Sequence, residues 1–282
     1  MRQSPCTSVT GLPSVTIKMT ESNSEGSHIN AAIKLDKDPS YCCGPLWLAP
    51  HVYLAALPSG SIILDLRQDR YFGLSQEQAS ELSKLVFGWP KGADYSSLSK
   101  DGFSSVTNEV KEFFVSNGIL TVDQRIGKSA APVRLTSKAT LRALGENLEK
   151  SVTIEPIYIS RFIFACARAA YSLRFSPLER VIARAEKRRQ ESTQRTDFDT
   201  DRAASLVRIF MRLRPYLFTA HDRCLFHALA LLNFLAYFGV FPMWVIGVQT
   251  QPFAAHSWVQ YDDLVLDSTP EEVCYYTPIL AV

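Results

Sequence analysis

The sequence lacks the features of an exported protein. Its amino-terminal stretch, MRQSPCTSVTGLPSVTIKMTESNSEGSH, contains no apolar core of a signal peptide. The chain has only six cysteines in 282 residues, and their spacing is not that of a secreted disulfide scaffold. We therefore expect free thiols and a cytoplasmic location.

A membrane-spanning helix is not expected either, although residues 224–248 form a run of 25 residues without Asp, Glu, Lys or Arg. Such a run is long enough to cross a bilayer. Gly239 and Pro242 interrupt it, however, and the MWVIGV that follows has the branched and aromatic content of a strand. His227 and Asn233 would also be costly in lipid. The run predicts a buried helix followed by a buried strand.

The sequence lacks an excess of charge of either sign, since its 30 Lys or Arg and 28 Asp or Glu leave a net charge of +2. Residues 41–125 carry seven Lys or Arg against nine Asp or Glu, whereas a DNA-binding module needs a basic face. The GKS at residues 127–129 lacks the earlier glycine of a phosphate-binding loop, because Val122 stands there. We predict no nucleic-acid partner and no cofactor. Residues 161–214 have seven excess positive charges, which fit a solvated helix face or a dock for an acidic partner.

The composition and residue patterns of the sequence predict an α+β protein with several parts. Residues 1–40 are rich in Ser, Thr, Asn and Gly and are expected to be disordered, with Met19 as an alternative start. Residues 41–125 predict a three-stranded meander, a helix capped by Ser75, a second helix and a last strand, which together form a winged-helix-like module. Residues 126–145 have the composition of a linker. Residues 146–282 predict helices followed by strands.

One strand of the front module is a candidate peptide-binding edge. It comprises Arg70, Tyr71, Phe72 and Gly73, and it can accept an extended peptide as an added strand. The alternative, in which another part of the chain covers the same edge, is equally open.

A cysteine opens the apolar helix predicted within HDRCLFHALALLNFLAYFG, residues 221–239. Asp222 is a suitable N-cap and Gly239 a suitable stop, so Cys224 falls in the first turn. The unpaired N–H groups of a helix start favour a thiolate, which is the nucleophilic form of cysteine. The alternative is a cysteine that acts only as a small buried hydrophobe.

A β-hairpin predicted in AHSWVQYDDLVLDSTP supplies two further candidates. With a two-residue turn, Tyr261 pairs with Leu264, which puts Asp267 diagonally across from His256 on one face. If the preceding helix packs on that face, Cys224 meets His256, and Asp267 orients the imidazole.

Simpler roles remain open for the same residues. His256 fits a core histidine, and Asp267 fits a cap for whatever follows it. A metal site that includes His221 and His227 is disfavoured, because these residues point apart on a helix.

Two segments resemble known families. RCLFHALALLNFLAYFGV and VIGVQTQPFAAHSWVQYDDLVLDS resemble the leader peptidases of lasso-peptide biosynthesis, called lasso B proteins, which belong to the transglutaminase-like superfamily. This resemblance extends over about residues 150–275. GSIILDLRQDRYFGLS is similar to the PqqD-like domain of pyrroloquinoline quinone biosynthesis, which binds precursor leader peptides. The sequence departs from the lasso B pattern at Gln260, and at Phe226 and His227, where less bulky residues are common.

The resemblance implies a PqqD-like module fused to a transglutaminase-like, papain-type α+β peptidase domain. It implies Cys224, His256 and Asp267 as catalytic residues and a ribosomal precursor peptide as substrate. An ATP-dependent lasso cyclase is the implied partner. Two other functions remain open, namely a non-catalytic protein that presents the precursor, and a transglutaminase-type acyl transferase.

Overall fold

A computed structural model describes residues 16–18, 45–90, 105–133, 135, 142–143, 153–193, 200–218 and 223–282. The front part of the chain contains short strands and two helices. These are β1 (Thr16–Lys18), β2 (Trp47–Leu48), β3 (Val52–Leu57), β4 (Gly60–Asp65), β5 (Arg70–Leu74), α1 (Gln76–Leu85), α2 (Ser105–Ser116) and β6 (Leu120–Thr121).

The predicted meander and helix cap are confirmed. Strands β3, β4 and β5 pair antiparallel in chain order, and Leu57 faces Gly60 across the first turn. Ser75 accepts a hydrogen bond from the Gln78 backbone N–H, and the Gln78 side chain accepts one from the Ser75 N–H. This reciprocal capping box fixes the start of α1 against the end of β5.

Within the segment expected to be disordered, residues 1–40, the structure describes one short strand, Thr16–Lys18. These residues form β1, which pairs antiparallel with β5 and places Ile17 opposite Tyr71. An edge strand presents a row of unpaired N–H and C=O groups, and β1 satisfies those of β5. The Arg70–Gly73 edge is thus occupied by the chain itself. The other residues of 1–40 lie outside the described residues.

The second part of the chain places a group of helices on a mixed sheet. Its elements are β7 (Arg142–Ala143), α3 (Pro156–Phe175), α4 (Leu178–Thr193), α5 (Thr200–Leu213), a 3-10 turn (Arg214–Tyr216), α6 (Cys224–Ala236), β8 (Met243–Thr250), β9 (Phe253–Tyr261), β10 (Leu264–Val265), α7 (Pro270–Val273) and β11 (Thr277–Ala281). The sheet order is β11-β8-β9-β10-β7. Among the helices that the structure describes, none has the length and apolar character needed to cross a membrane.

The described residues of the stretch predicted as a linker, residues 126–145, form hydrogen bonds with strands of both halves of the chain. Lys128 exchanges backbone hydrogen bonds with Leu48 at 2.8 and 3.0 Å. Strand β7 pairs parallel with β10 at the edge of the second sheet. The described parts of this stretch are therefore ordered by the sheets at either end.

The front sheet is apolar on both faces, and each face packs on a different partner. Ile63 and Phe72 point toward the cluster that contains α1 and α2. Leu64 and Tyr71, one residue along each strand, point into the same apolar core as Phe210 of the second half. This alternation follows from the two-residue period of a strand. The two halves of the chain thus share one core.

Helix α6 lies at the centre of the second half. It packs against α3 and β9, and nearly all of its side chains beyond the first turn are buried. The helix begins at Cys224, as the sequence predicts, and Gly239 follows it with a φ of 76°. The predicted cap, Asp222, lies outside the described residues.

Candidate active site

Cys224 is the first residue of α6 and is partly buried. The backbone N–H groups of Ser257, Leu225 and Cys224 itself surround the sulfur and lower the pKa of the thiol. Burial is the larger influence, however, and the pKa of Cys224 lies above its ordinary value. The N–H groups of the helix start thus favour the thiolate, as expected, but burial outweighs them. This thiol needs a base to remove its proton.

The sulfur lies along an open edge of β9. The N–H of Val259 donates to Asp267 Oδ1 at 2.8 Å, on the side of β9 that faces β10. Alternate N–H groups of a strand point to the same side, so the Ser257 N–H faces that side as well. Because β10 ends at Val265, no strand among the described residues covers β9 at Ser257 on this side. The Cys224 sulfur and the Asp267 carboxylate therefore lie along one edge.

His256 occupies the neighbouring position on β9. Its Nε2 lies 3.2 Å from Ser268 Oγ and 3.8 Å from Glu272 Oε1. The imidazole stacks on the Trp258 ring at a centroid distance of 6.0 Å, and the Tyr276 ring lies 5.2 Å away. Burial lowers the pKa of His256, and Glu272 opposes that effect. A neutral imidazole in this setting can accept a proton.

The predicted register of the hairpin is confirmed, since Tyr261 pairs with Leu264. The side chain of Asp267 takes a different direction from the expected one. Strand β10 has only two residues, so its alternation of faces ends before Asp267. The carboxylate turns to the Val259 N–H and to His227 of α6, with His227 Nδ1 3.7 Å from Asp267 Oδ2. Within the part of the chain that the structure describes, the ion pairs of these two residues join Asp267 to His227 and His256 to Glu272.

Three side chains beside His256 were not singled out in the sequence, namely Ser268, Glu272 and Tyr276. The only local signal there is Thr269, whose hydroxyl caps α7 by accepting from the Glu272 N–H at 3.2 Å. That cap predicts a helix but no contact with His256. The contact arises because β11 returns to pair with β8 and brings α7 over β9.

Two of the candidate leader-binding residues have buried side chains. The side chains of Tyr71 and Phe72 are only 2% and 4% exposed. Phe72 packs on Phe114 of α2, with centroids 5.9 Å apart. Tyr71 points the other way, where its ring meets Phe253 at 5.5 Å, and the charge of a Cys224 thiolate contributes to raising its pKa. Tyr71 thus joins β5 to the surroundings of the candidate nucleophile.

Comparison with known proteins separates the two halves of the chain. No curated protein and no solved structure matches the chain significantly. Residues 164–281 match the transglutaminase-like superfamily, a stretch that holds Cys224, His256 and Asp267 but none of the front module. The helix that carries Cys224 and the strand that carries His256 thus lie inside the matched region. The chain contains a transglutaminase-like superfamily domain at residues 164–281.

Proposed function

We propose that this protein is a cytoplasmic cysteine peptidase that cuts the leader from a ribosomal precursor of the lasso-peptide class. The observation that carries the proposal is the position of Cys224 at the start of α6, with its sulfur beside the N–H of Ser257, the residue that follows His256 on β9. The transglutaminase-like domain is compatible with cysteine protease or acyltransferase chemistry.

In the proposed reaction, Cys224 is the nucleophile and His256 the base. His256 removes the thiol proton as the sulfur bonds to the scissile carbonyl carbon, and the same proton then passes to the departing amine of the core peptide. Water next attacks the thioester, loses a proton to His256, and releases the leader as a carboxylic acid while the thiol is restored. The N–H groups of Cys224 and Ser257 are suited to stabilise the oxyanion that forms in each half-reaction.

Asp267 is the proposed orienting carboxylate. His256 Nε2 lies within 4.0 Å of Glu272, whereas the Asp267 carboxylate contacts the Val259 N–H and His227, so the two carboxylates are competing candidates for this role. Asp267 is buried and Glu272 is about half exposed. Burial favours Asp267, because a charge held away from water acts more strongly on its surroundings.

The front module is the proposed PqqD-like recognition element. Leader binding would add a strand along Arg70, Tyr71, Phe72 and Gly73, taking the place of Thr16–Lys18. Affinity would come from main-chain hydrogen bonds, because the Tyr71 and Phe72 side chains are buried. We further propose that an ATP-dependent lasso cyclase receives the freed core.

Mass spectrometry of the full chain with a panel of synthetic lasso-type leader–core peptides tests the function. Two fragments whose masses sum to the peptide plus water support a peptidase. A product joined to an added amine identifies an acyl transferase, and binding without any mass change identifies a presenting protein. Either of these last two results overturns the proposal. Cys224→Ala must abolish cleavage, whereas Cys274→Ala, a change at an exposed cysteine, must not.

A further inference from the structure

A second histidine lies against the candidate orienting residue. His227 occupies α6 one turn beyond Cys224, and its Nδ1 lies 3.7 Å from Asp267 Oδ2. The side chains are 6% and 0% exposed. The rings of Phe210 and Phe218 pack on His227 at centroid distances of 5.6 and 6.0 Å, which separates the pair from solvent.

The hydrogen bonds of this pair are incomplete in a specific way. Asp267 Oδ1 accepts from the Val259 N–H, but within the described part of the chain Oδ2 has no hydrogen-bond partner. His227 Nε2 is also buried and unpartnered there. A buried carboxylate oxygen without a donor is costly, and His227 Nδ1 is the group placed to relieve it.

We propose that His227 is a positioning residue for Asp267, which it holds in place by directing the Nδ1–H of a neutral imidazole at the buried carboxyl group. With the proton on Nδ1, the imidazole directs an N–H at Oδ2 and leaves only an acceptor unpartnered at Nε2. An unpartnered acceptor is tolerated better than an unpartnered N–H. His227 then acts on the chemistry only through Asp267. This inference rests on the role proposed above for Asp267.

The groups around the pair agree with a neutral imidazole at His227. Burial raises the pKa of Asp267 to about 7 and lowers that of His227 to about 4, since it disfavours the charged form of each. Arg214, from the 3-10 turn, lowers both pKa values, and Glu272 of α7 raises that of Asp267. His256 of β9 lowers the pKa of His227. On α6 itself, Cys224 faces Asp267 and has its own pKa raised by that carboxylate.

The test follows the Asp267 carboxyl group by carbon-13 NMR of aspartate-labelled protein over a range of pH, with Asp267→Asn to assign the signal. In His227→Leu, which removes the donor, the midpoint should rise by about one to two pH units. In His227→Asn, which keeps a neutral N–H near the position of Nδ1, it should stay within about half a unit of the native value. An unchanged midpoint in folded His227→Leu overturns the inference.

The chain offers a matched control in its front module. His51 and Asp65 form another buried pair, with Nε2 and Oδ1 3.6 Å apart and side chains 6% and 1% exposed. His51→Leu should cost comparable stability and leave the Asp267 midpoint where it was. A shift as large as that of His227→Leu would mean that the effect is merely structural and would refute the inference.

Catalysis gives a separate readout on any panel peptide that the native protein cleaves. His227→Leu should lower kcat by about tenfold or more, leave KM nearly unchanged, and move the acidic limit of the pH profile upward with the NMR midpoint. A native protein that cleaves nothing, yet whose Asp267 midpoint responds to His227→Leu, would refute the proposed function and leave the His227–Asp267 hydrogen bond established. Cleavage with no response of kcat or midpoint would refute only the pair.

Discussion

A chain that begins at Met19 should bind a leader peptide more tightly than the full chain. Such a chain lacks Thr16–Lys18, the residues that pair with Phe72, Tyr71 and Arg70 along the outer edge of β5. If the leader adds to that same edge, it has to displace them first. Removing the internal competitor therefore raises the fraction of molecules that are ready to bind.

The size of the effect follows from the length of the strand. Three residues of β1 pair with β5. A main-chain hydrogen bond contributes about 0.5 to 1 kcal/mol net, so displacing the strand costs about 1.5 to 3 kcal/mol. At about 1.4 kcal/mol for each factor of ten, the dissociation constant of the leader should fall by about 10- to 100-fold.

Fluorescence anisotropy with a labelled lasso-type leader peptide measures this change. The matched control is deletion of residues 2–12, which shortens the amino terminus and retains Thr16–Lys18. That control should bind like the full chain. Equal or weaker leader binding by the Met19 chain, with its circular dichroism unchanged, would show that the leader does not use the β5 edge.

The other predictions concern the second half of the chain. Asp267→Asn should lower kcat by at least about 100-fold and Glu272→Gln by less than about tenfold, because the proposed orienting carboxylate is the buried Asp267. Steady-state kinetics on a cleaved peptide would contradict this prediction if Glu272→Gln had the larger effect. The folded-state pKa of Asp267 is raised from 3.8 to about 7, so the stabilisation from its protonated form is complete below about pH 4 and is lost as pH rises through 7. Urea unfolding should therefore show that Asp267→Asn loses less stability between pH 5 and 8 than the native protein, and parallel curves would refute the assignment. Iodoacetamide at pH 7 should modify Cys274 first, Cys224 next and Cys166 last. Cys274 is exposed, whereas burial raises the pKa of Cys224 and raises that of Cys166 to about 12. Peptide mapping would contradict this order if Cys224 reacted first.

Local patterns in the sequence were sufficient to predict most of the elements around the site. The first-turn position of Cys224 follows from the apolar helix and its glycine stop, and both are present. The register of Tyr261 with Leu264 follows from a two-residue turn, in which Asp262 takes a φ of 48°. Such features depend on residues close together in the chain, so the sequence alone predicts them.

The features that were not predicted depend on contacts between distant segments. The direction of Asp267 is decided by the end of β10 and by His227, which lies 40 positions earlier on α6. The pKa of Cys224 is decided by how deeply the helix start is buried, which no helix pattern encodes. The pairing of Thr16–Lys18 with β5 joins a segment of polar composition to a strand about 55 residues away.

The shared core also limits how this protein can be recombined. Leu64 and Tyr71 of the front sheet are buried among side chains of the second half, including Phe210 and Leu229. A chimera that exchanged residues 41–125 for another recognition module would place foreign side chains against that surface. A chimera that keeps the second half folded therefore has to retain the inward face of β4 and β5 unchanged. Only the outer edge of β5 and its neighbourhood are open to substitution.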